Sequence, residues 1–492
     1  MNHEVIDGIP VLWAPAPGPL EAELIFGCGA RDETLRTLGV VHLVEHLAMS
    51  TLPRLHHDHN ASVDLELTRF TCSGQPEQVV DYLGRVCAAL SELPLDRIDR
   101  EAGVLEAEDG RVAVPQTSEL LSHRYGVQGL GLAAYRGPGA DRITVEAVQD
   151  TLFRYFHAGN AVLVLTGPPP AGLRLPLPAG ARPDRAGARP ALLSGRSWRQ
   201  EDVPGPGIAL HGALADAALM AAVAVFAQRL RDSARHALGL TYDVGGSLDN
   251  AGAATGEHTV YLDAREGQEQ TVSELLWHEA LRLARDGVTE AELAEEREGM
   301  REVWTDPRNT IAELGHAAAR SLFGETYRDA PARLDALAAV TPDRARRAFA
   351  DALRTALLVV PCGVEVSPVL PDGTPVPRHR CTHHTELPAD GEVFKPPLAD
   401  RLRYSAARKT RFVVNHAGVW AREPDGEIHH VPFDDIAAVE VRGPARIVYG
   451  HSTCFVPVVP DLIGDIGAAA RAVDAAVPAH LVYHASALRS AD

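Results

Sequence analysis

The stretch "GVVHLVEHLAMS" (residues 39–50) sets His42, Glu45 and His46 among residues that are otherwise almost all apolar. On a helix these three and Met49 stand at i, i+3, i+4 and i+7, so both imidazoles and the carboxylate share one stripe. Val40, Val41, Leu43, Val44 and Leu47 cover the remaining face, which predicts burial nearly all round. Two imidazoles and a carboxylate cannot be buried unpaired without a heavy desolvation penalty, so they need partners. A divalent cation satisfies them together. Neutral ring nitrogens one turn apart suit tetrahedral zinc, a third protein ligand completes the set, and the fourth position is left for water.

The third ligand must come from another element. "LDRIDREAGVLEAEDGR" (residues 95–111) reads as a helix with Asp96 near its start, Ile98, Ala102 and Leu105 along one face, and Gly110 past its end. Glu101 and Glu108 lie two turns apart on a common face. One can ligate the metal while the other orients a ligand or the water.

The elements that carry these residues are strands and helices interleaved without a regular βαβ repeat, which predicts an α+β fold. "GIPVLWAPA" and "EAELIFGCGA" are strand-like, "DYLGRVCAALSEL" is helical, and "NAVLVLTGPP" is a buried strand ending in a turn. A Pro/Gly/Arg-rich stretch, residues 171–206, reads as a linker between a first domain (1–170) and a second (207–366). The second holds helices in "VSELLWHEALRLARDG" and "TEAELAEEREGMREVW" and closes on "ALLVVPCGVEV", which echoes the strand that ends the first, an indication of duplication. After a connector (367–405), residues 406–492 show short strands around the turn "PDG" and one closing amphipathic helix. That order predicts a small pleckstrin-homology-like (PH-like) β-barrel-plus-helix domain, an interaction device.

Composition narrows the function classes. No apolar run is long enough for a membrane span, and the acidic start "MNHEVIDGIPVLW" lacks the features of a secretion signal. A net charge of -19 argues against a nucleic-acid partner, since phosphate binding needs a basic face. The six cysteines are scattered with no CxxC pair, so neither a disulfide framework nor a thiolate zinc site is expected, and a cytoplasmic location is.

His42-Leu43-Val44-Glu45-His46 is the inverted zinc motif H-x-x-E-H. With its surroundings it resembles the insulinase/pitrilysin-like zinc metallopeptidases, the M16 family. "FGCGARDETLRTLGVVHLVEHLA" is similar to that family's strand, glycine turn and zinc helix, "NASVDLELTRFTCSG", beginning at Asn60, to its substrate-binding edge strand, and "IDREAGVLEAE" to the helix that supplies the third ligand. The resemblance makes Glu108 the ligand and Glu101 its supporting neighbour. In the second half "RLRDSARHALGLTYDVGGS" resembles the family's segment in which an Arg precedes a Tyr by seven residues, here Arg235 and Tyr242. The resemblance covers roughly the first 366 residues. Only 61 residues separate His46 from Glu108, fewer than is usual in the family, the shortening falling in "STLPRLHHDH". His56, His57 and His59 there read as loop residues and not as a second metal site.

The resemblance implies a zinc endopeptidase that cleaves unstructured peptides in processing or clearance, with one zinc per active site held by His42, His46 and Glu108. Glu45 is then the general base toward water, and Tyr242 with Arg235 binds the substrate and stabilises the oxyanion. It also implies a homodimer, or a heterodimer with a related subunit, in which the Arg/Tyr segment of one chain completes the zinc site of another. The alternative is a non-catalytic assembly or peptide-binding subunit of the same fold, with the PH-like tail mediating protein or lipid contact.

Overall fold

The runs Ala161–Leu165 and Leu357–Pro361 are buried at every residue, as central strands covered on both faces must be. Each occupies the same place in one of two sheets. The computed structural model describes residues 1–108, 113–183, 191–252 and 254–484. The first sheet comprises β1 (Asn2–Ile6), β2 (Ile9–Trp13), β3 (Leu20–Phe26), β4 (Asp58–Val63), β5 (Thr68–Gly74) and β6 (Ala161–Leu165), in the order β1-β2-β6-β3-β5-β4. Its helices are α1 (Val40–Met49), α2 (Pro76–Ser91), α3 (Ile98–Ala107), α4 (Pro115–Tyr125) and α5 (Val145–Tyr155).

The second sheet comprises β7 (Ser197–Glu201), β8 (Gly207–Ala213), β9 (Val244–Gly252), β10 (Thr255–Leu262) and β11 (Leu357–Pro361), ordered β7-β11-β8-β10-β9. Its helices are α6 (Ala217–Leu230), α7 (Glu269–Asp286), α8 (Glu290–Thr305), α9 (Thr310–Leu322), α10 (Ala330–Ala338) and α11 (Pro342–Ala352). With β1 set aside, the two orders correspond strand for strand, and β2 runs parallel to β6 as β7 does to β11. The fold is α+β, and its two halves repeat one topology.

The halves also exchange a helix. Leu314, Ala317, Ala318 and Leu322 of α9, from the second half, pack on Ile25, Val162 and Val164 of the first sheet. Conversely, Leu120 of α4 packs on Ala209, Leu357 and Val359 of the second. A buried ion pair joins the halves: Arg124 Nε of α4 stands 2.9 Å from Glu257 Oε1 of β10, and both side chains are essentially inaccessible.

The C-terminal module contains β12 (Glu392–Phe394), α12 (Leu398–Arg403), α13 (Ser405–Lys409), β13 (Arg411–Val414), β14 (Gly418–Arg422), β15 (Ile428–Pro432), β16 (Ile436–Arg442), β17 (Ala445–Gly450), β18 (Phe455–Val458), α14 (Ile466–Ala476) and β19 (Val482–His484). They form two four-stranded sheets, β12-β13-β14-β15 and β18-β17-β16-β19, around a shared core that includes Ala469 and Val473 of α14. The expected turn at "PDG" joins β14 to β15, with Gly426 at φ +97°.

Two segments read from sequence as connections are structural. In the stretch 171–206, Leu173 and Leu175 are buried in the first core, because "LRLPL" alternates apolar residues within its Pro-rich surroundings, and β7 joins the second sheet. In the connector 367–405, β12 pairs with β13 and Phe394 enters the module's core. Among the described residues no helix is long and apolar enough to cross a membrane.

Candidate metal centre

Helix α1 begins after Gly39, which has φ +96° and no side chain with which to cap the helix. Glu33, six residues upstream, does this instead: its Oε2 accepts from the Gly39 N–H and its Oε1 from the Val41 N–H, both at 2.8 Å. A carboxylate suits this position because the first-turn N–H groups and the helix dipole both present positive charge. At the other end the Ser50 carbonyl accepts from the Arg97 guanidinium, a cation where the dipole is negative. Between these braces Val40, Val41, Leu43, Val44, Leu47 and Ala48 are buried in the first core. The stripe carrying His42, Glu45 and His46 is thereby fixed against rotation.

Helix α3 stops at Ala107, earlier than the sequence pattern predicts. Glu106, Glu108 and Asp109 crowd negative charge onto the helix's own negative end. Glu108 is consequently the residue just past the helix, in extended conformation (φ -90°, ψ 148°), and not a partner of Glu101 on a shared helical face. Gly110, read as the stop, lies outside the described residues. Released from the helix, the Glu108 carboxylate reaches α1. Its Oε2 stands 3.8 Å from His42 Nε2 and 3.6 Å from His46 Nε2.

One donor atom from each of His42, His46 and Glu108 lies within 4.8 Å of the others. A tetrahedral ion with bonds of about 2.0–2.1 Å places its donors roughly 3.4 Å apart, so these residues fit zinc in both donor chemistry and spacing. Glu45 Oε2 lies 3.5 Å from His42 Nε2 and 3.9 Å from His46 Nε2, on the buried side, while Glu108 on the solvent side is about half exposed. Burial pushes His42 down to about 4, assisted by His46 and opposed by Glu108, so its ring is neutral and offers a lone pair at physiological pH. Burial pushes Glu45 up to about 8, with Glu108 adding to the effect.

The remaining sequence candidates fall in three places. Glu101 is buried on α3, with Oε1 lacking a hydrogen-bond partner and lying 3.5 Å from the Arg100 guanidinium. Asn60 is on β4, the edge strand beside α1, and its carbonyl accepts from the Tyr82 hydroxyl at 2.9 Å. Arg235 and Tyr242 meet each other, the guanidinium carbon 5.4 Å from the ring centroid. Arg235 lies in a turn of π-helix, Arg231–Ala237, that prolongs α6, and Gly239 at φ +62° ends it. Tyr242 is 78% exposed. His59 lies on β4 with its Nδ1 against the His57 carbonyl, and the histidines of that segment form no metal cluster among the described residues.

A cleft of about 440 Å³ between the halves, lined by Glu23, Asp64, Arg69, Asn250, His316 and Arg320, holds none of the prospective ligands. The braces Glu33 and Arg97 escaped the sequence reading. The one signal for Glu33 was an acid shortly upstream of a helix whose own cap position is glycine.

Comparison with known proteins adds the following. Residues 203–300 match the family model described as "Peptidase M16 inactive domain". That stretch contains Arg235 and Tyr242 and none of the three prospective ligands. No curated protein matches the chain. Among solved structures, a protease from Helicobacter pylori superposes with a TM-score of 0.60 at 12% identity, over 73% of this chain and 99% of that one. A peptidase M16 inactive domain from Pseudomonas fluorescens gives 0.57 at 17%, over 74% and 99%. A chain of complex III2 from Candida albicans gives 0.55 at 14%, over 73% and 94%. At these identities the likeness is one of fold: residues 203–300 are similar to the M16 inactive-type domain, and the two halves together share the fold of these solved structures.

Proposed function

We propose that this chain is a zinc-dependent endopeptidase of the M16 type, acting in the cytoplasm on unstructured peptides in processing or clearance. The observation that carries the proposal is the meeting of His42, His46 and Glu108 around one point, with the Glu45 carboxylate facing both imidazoles. Zinc, when bound, lowers the pKa of water toward neutrality and polarises a carbonyl oxygen. His42 and His46 supply ring nitrogens held by α1, Glu108 supplies a carboxylate, and Glu101, buried on α3, is assigned as its supporting neighbour. Glu45 takes the proton of the attacking water and delivers it to the leaving amine. Strand β4, which carries Asn60, is an edge strand, along which an extended peptide can add.

Tyr242 and Arg235 bind the peptide and stabilise the oxyanion from a second chain, a homodimer mate or a related subunit. Their exposure supports that arrangement. The C-terminal module is PH-like and serves as a protein-binding device, a reading supported by its two small sheets and the helix α14, although β19 follows that helix.

Glu45→Gln tests the assignment. It should retain zinc and lose peptide hydrolysis, and hydrolysis of a peptide library at the wild-type rate would refute the role of Glu45. A second reading, a non-catalytic assembly or peptide-binding subunit, is favoured by the same fold in a chain of complex III2. Wild-type protein that binds zinc and peptide without cleaving any library member would select it.

A further inference from the structure

The C-terminal module gathers a second set of soft donors. Cys381 comes from the connector, His429 from β15 and Cys454 from the residue before β18, yet their donor atoms all lie within 4.8 Å of one another. His429 Nδ1 is 3.1 Å from Cys381 Sγ and 3.8 Å from Cys454 Sγ. Its other nitrogen, Nε2, is 3.5 Å from the Glu423 carboxylate. An Nε2–H that donates to Glu423 leaves the Nδ1 lone pair aimed between the two sulfurs. A carboxylate behind an imidazole fixes the tautomer and ring orientation of metal-binding histidines in the same way. Cys454 is 2% exposed, while Cys381 and His429 are half-buried, so the cluster is open on one side.

We propose that Cys381, Cys454 and His429 form a thiolate zinc site, separate from the centre on α1, that fastens the connector to the C-terminal module. Two thiolates and one imidazole are a soft set that selects zinc over magnesium or calcium, and the open side leaves a fourth position for water. Binding releases the two thiol protons as each Sγ becomes a ligand. The connector around Cys381 already touches both neighbours. The His379 N–H donates to the Trp198 carbonyl of β7 at 2.7 Å, and the Thr382 hydroxyl donates to the Ile428 carbonyl of β15. A metal at Cys381 therefore locks a segment that bridges the second half and the module.

The two centres are separable because only this one contains sulfur. The experiment is a cobalt(II) titration of the reduced full-length chain, wild type and variants, followed by absorption spectroscopy and metal counting. Wild type should take up two equivalents and show a thiolate-to-cobalt charge-transfer band in the near ultraviolet. The His42→Ala/His46→Ala double variant should keep one equivalent and the full band. Cys381→Ser and Cys454→Ser should each lose the band while retaining the sulfur-free equivalent. The wild-type and double-variant measurements decide the matter even if a cysteine variant fails to fold. Absence of the band in wild type, or its persistence when both cysteines are replaced, would overturn the site.

Discussion

Replacing Glu33 with Ala removes both acceptors at the start of α1 without touching a prospective ligand. The Gly39 and Val41 N–H groups lose bonds of 2.8 Å, and Gly39 has no side chain to replace them. Burial pushes Glu33 up to about 8, so near neutral pH its two bonds contribute about 0.5–1.5 kcal/mol each, and loss of an N-cap costs about 1 kcal/mol. Glu33 is only half-buried, so water can rehydrate part of the exposed turn, and a total near 2–4 kcal/mol is expected. His42 lies in that first turn, so the loss divides between unfolding and metal binding. If it falls wholly on metal binding, zinc affinity drops by about 30- to 1000-fold. If it falls wholly on the first half, its melting temperature drops by about 4–16 °C. Calorimetry of metal-free protein and chelator competition for zinc measure the two shares, and Glu33→Gln, which retains one acceptor, should fall between. A Glu33→Ala protein with wild-type melting and a zinc dissociation constant within about threefold of wild type would refute the bracing role.

Glu257→Gln should destabilise the junction of the halves by about 3–5 kcal/mol in urea unfolding, because Arg124 is left buried without its counter-ion. Burial works against ionisation of Glu257, but bonds from His211 and Tyr125 and the charge of Arg124 outweigh it and hold its pKa below the usual carboxylate value. A depressed carboxylate pKa contributes stability that is present above the unfolded value, 4.5, and lost as pH falls through the folded one. Wild type should therefore weaken on the acid side of pH 4.5 by a component that the Gln variant lacks, read from urea midpoints across pH. If two chains build each active site, Glu45→Gln and Tyr242→Phe proteins, each inactive alone, should recover about a quarter of wild-type turnover after mixing and exchange. Failure to complement while subunit exchange is demonstrated would contradict sharing of the site.

How far the sequence could be read depended on how local the determining forces were. The stripe on α1 was legible because its polar residues interrupt an otherwise apolar helix, and the same helical period that buries Leu43 and Leu47 aligns His42 and His46. Glu108 was legible as a residue but not as a geometry, since the early end of α3 follows from charge at its terminus and not from its apolar period. The echo between the strands ending the two halves was legible, and the repeated sheet topology extends it. What lay out of reach depends on the tertiary path. Glu33 caps a helix six residues away, Cys381 meets His429 and Cys454 only once the strands close around them, and an amphipathic helix does not state which sheet it will cover.

That last point reaches into how the protein is made. A ribosome releases β3 and β6 long before α9 exists, so the apolar face formed by Ile25, Val162 and Val164 waits uncovered while nearly as much chain again is synthesised. Helix α4 emerges early and has no sheet of its own to lie on until β8 and β11 arrive. Neither half therefore covers both faces of its own sheet. Cutting the chain between them leaves each fragment with a bare apolar sheet face.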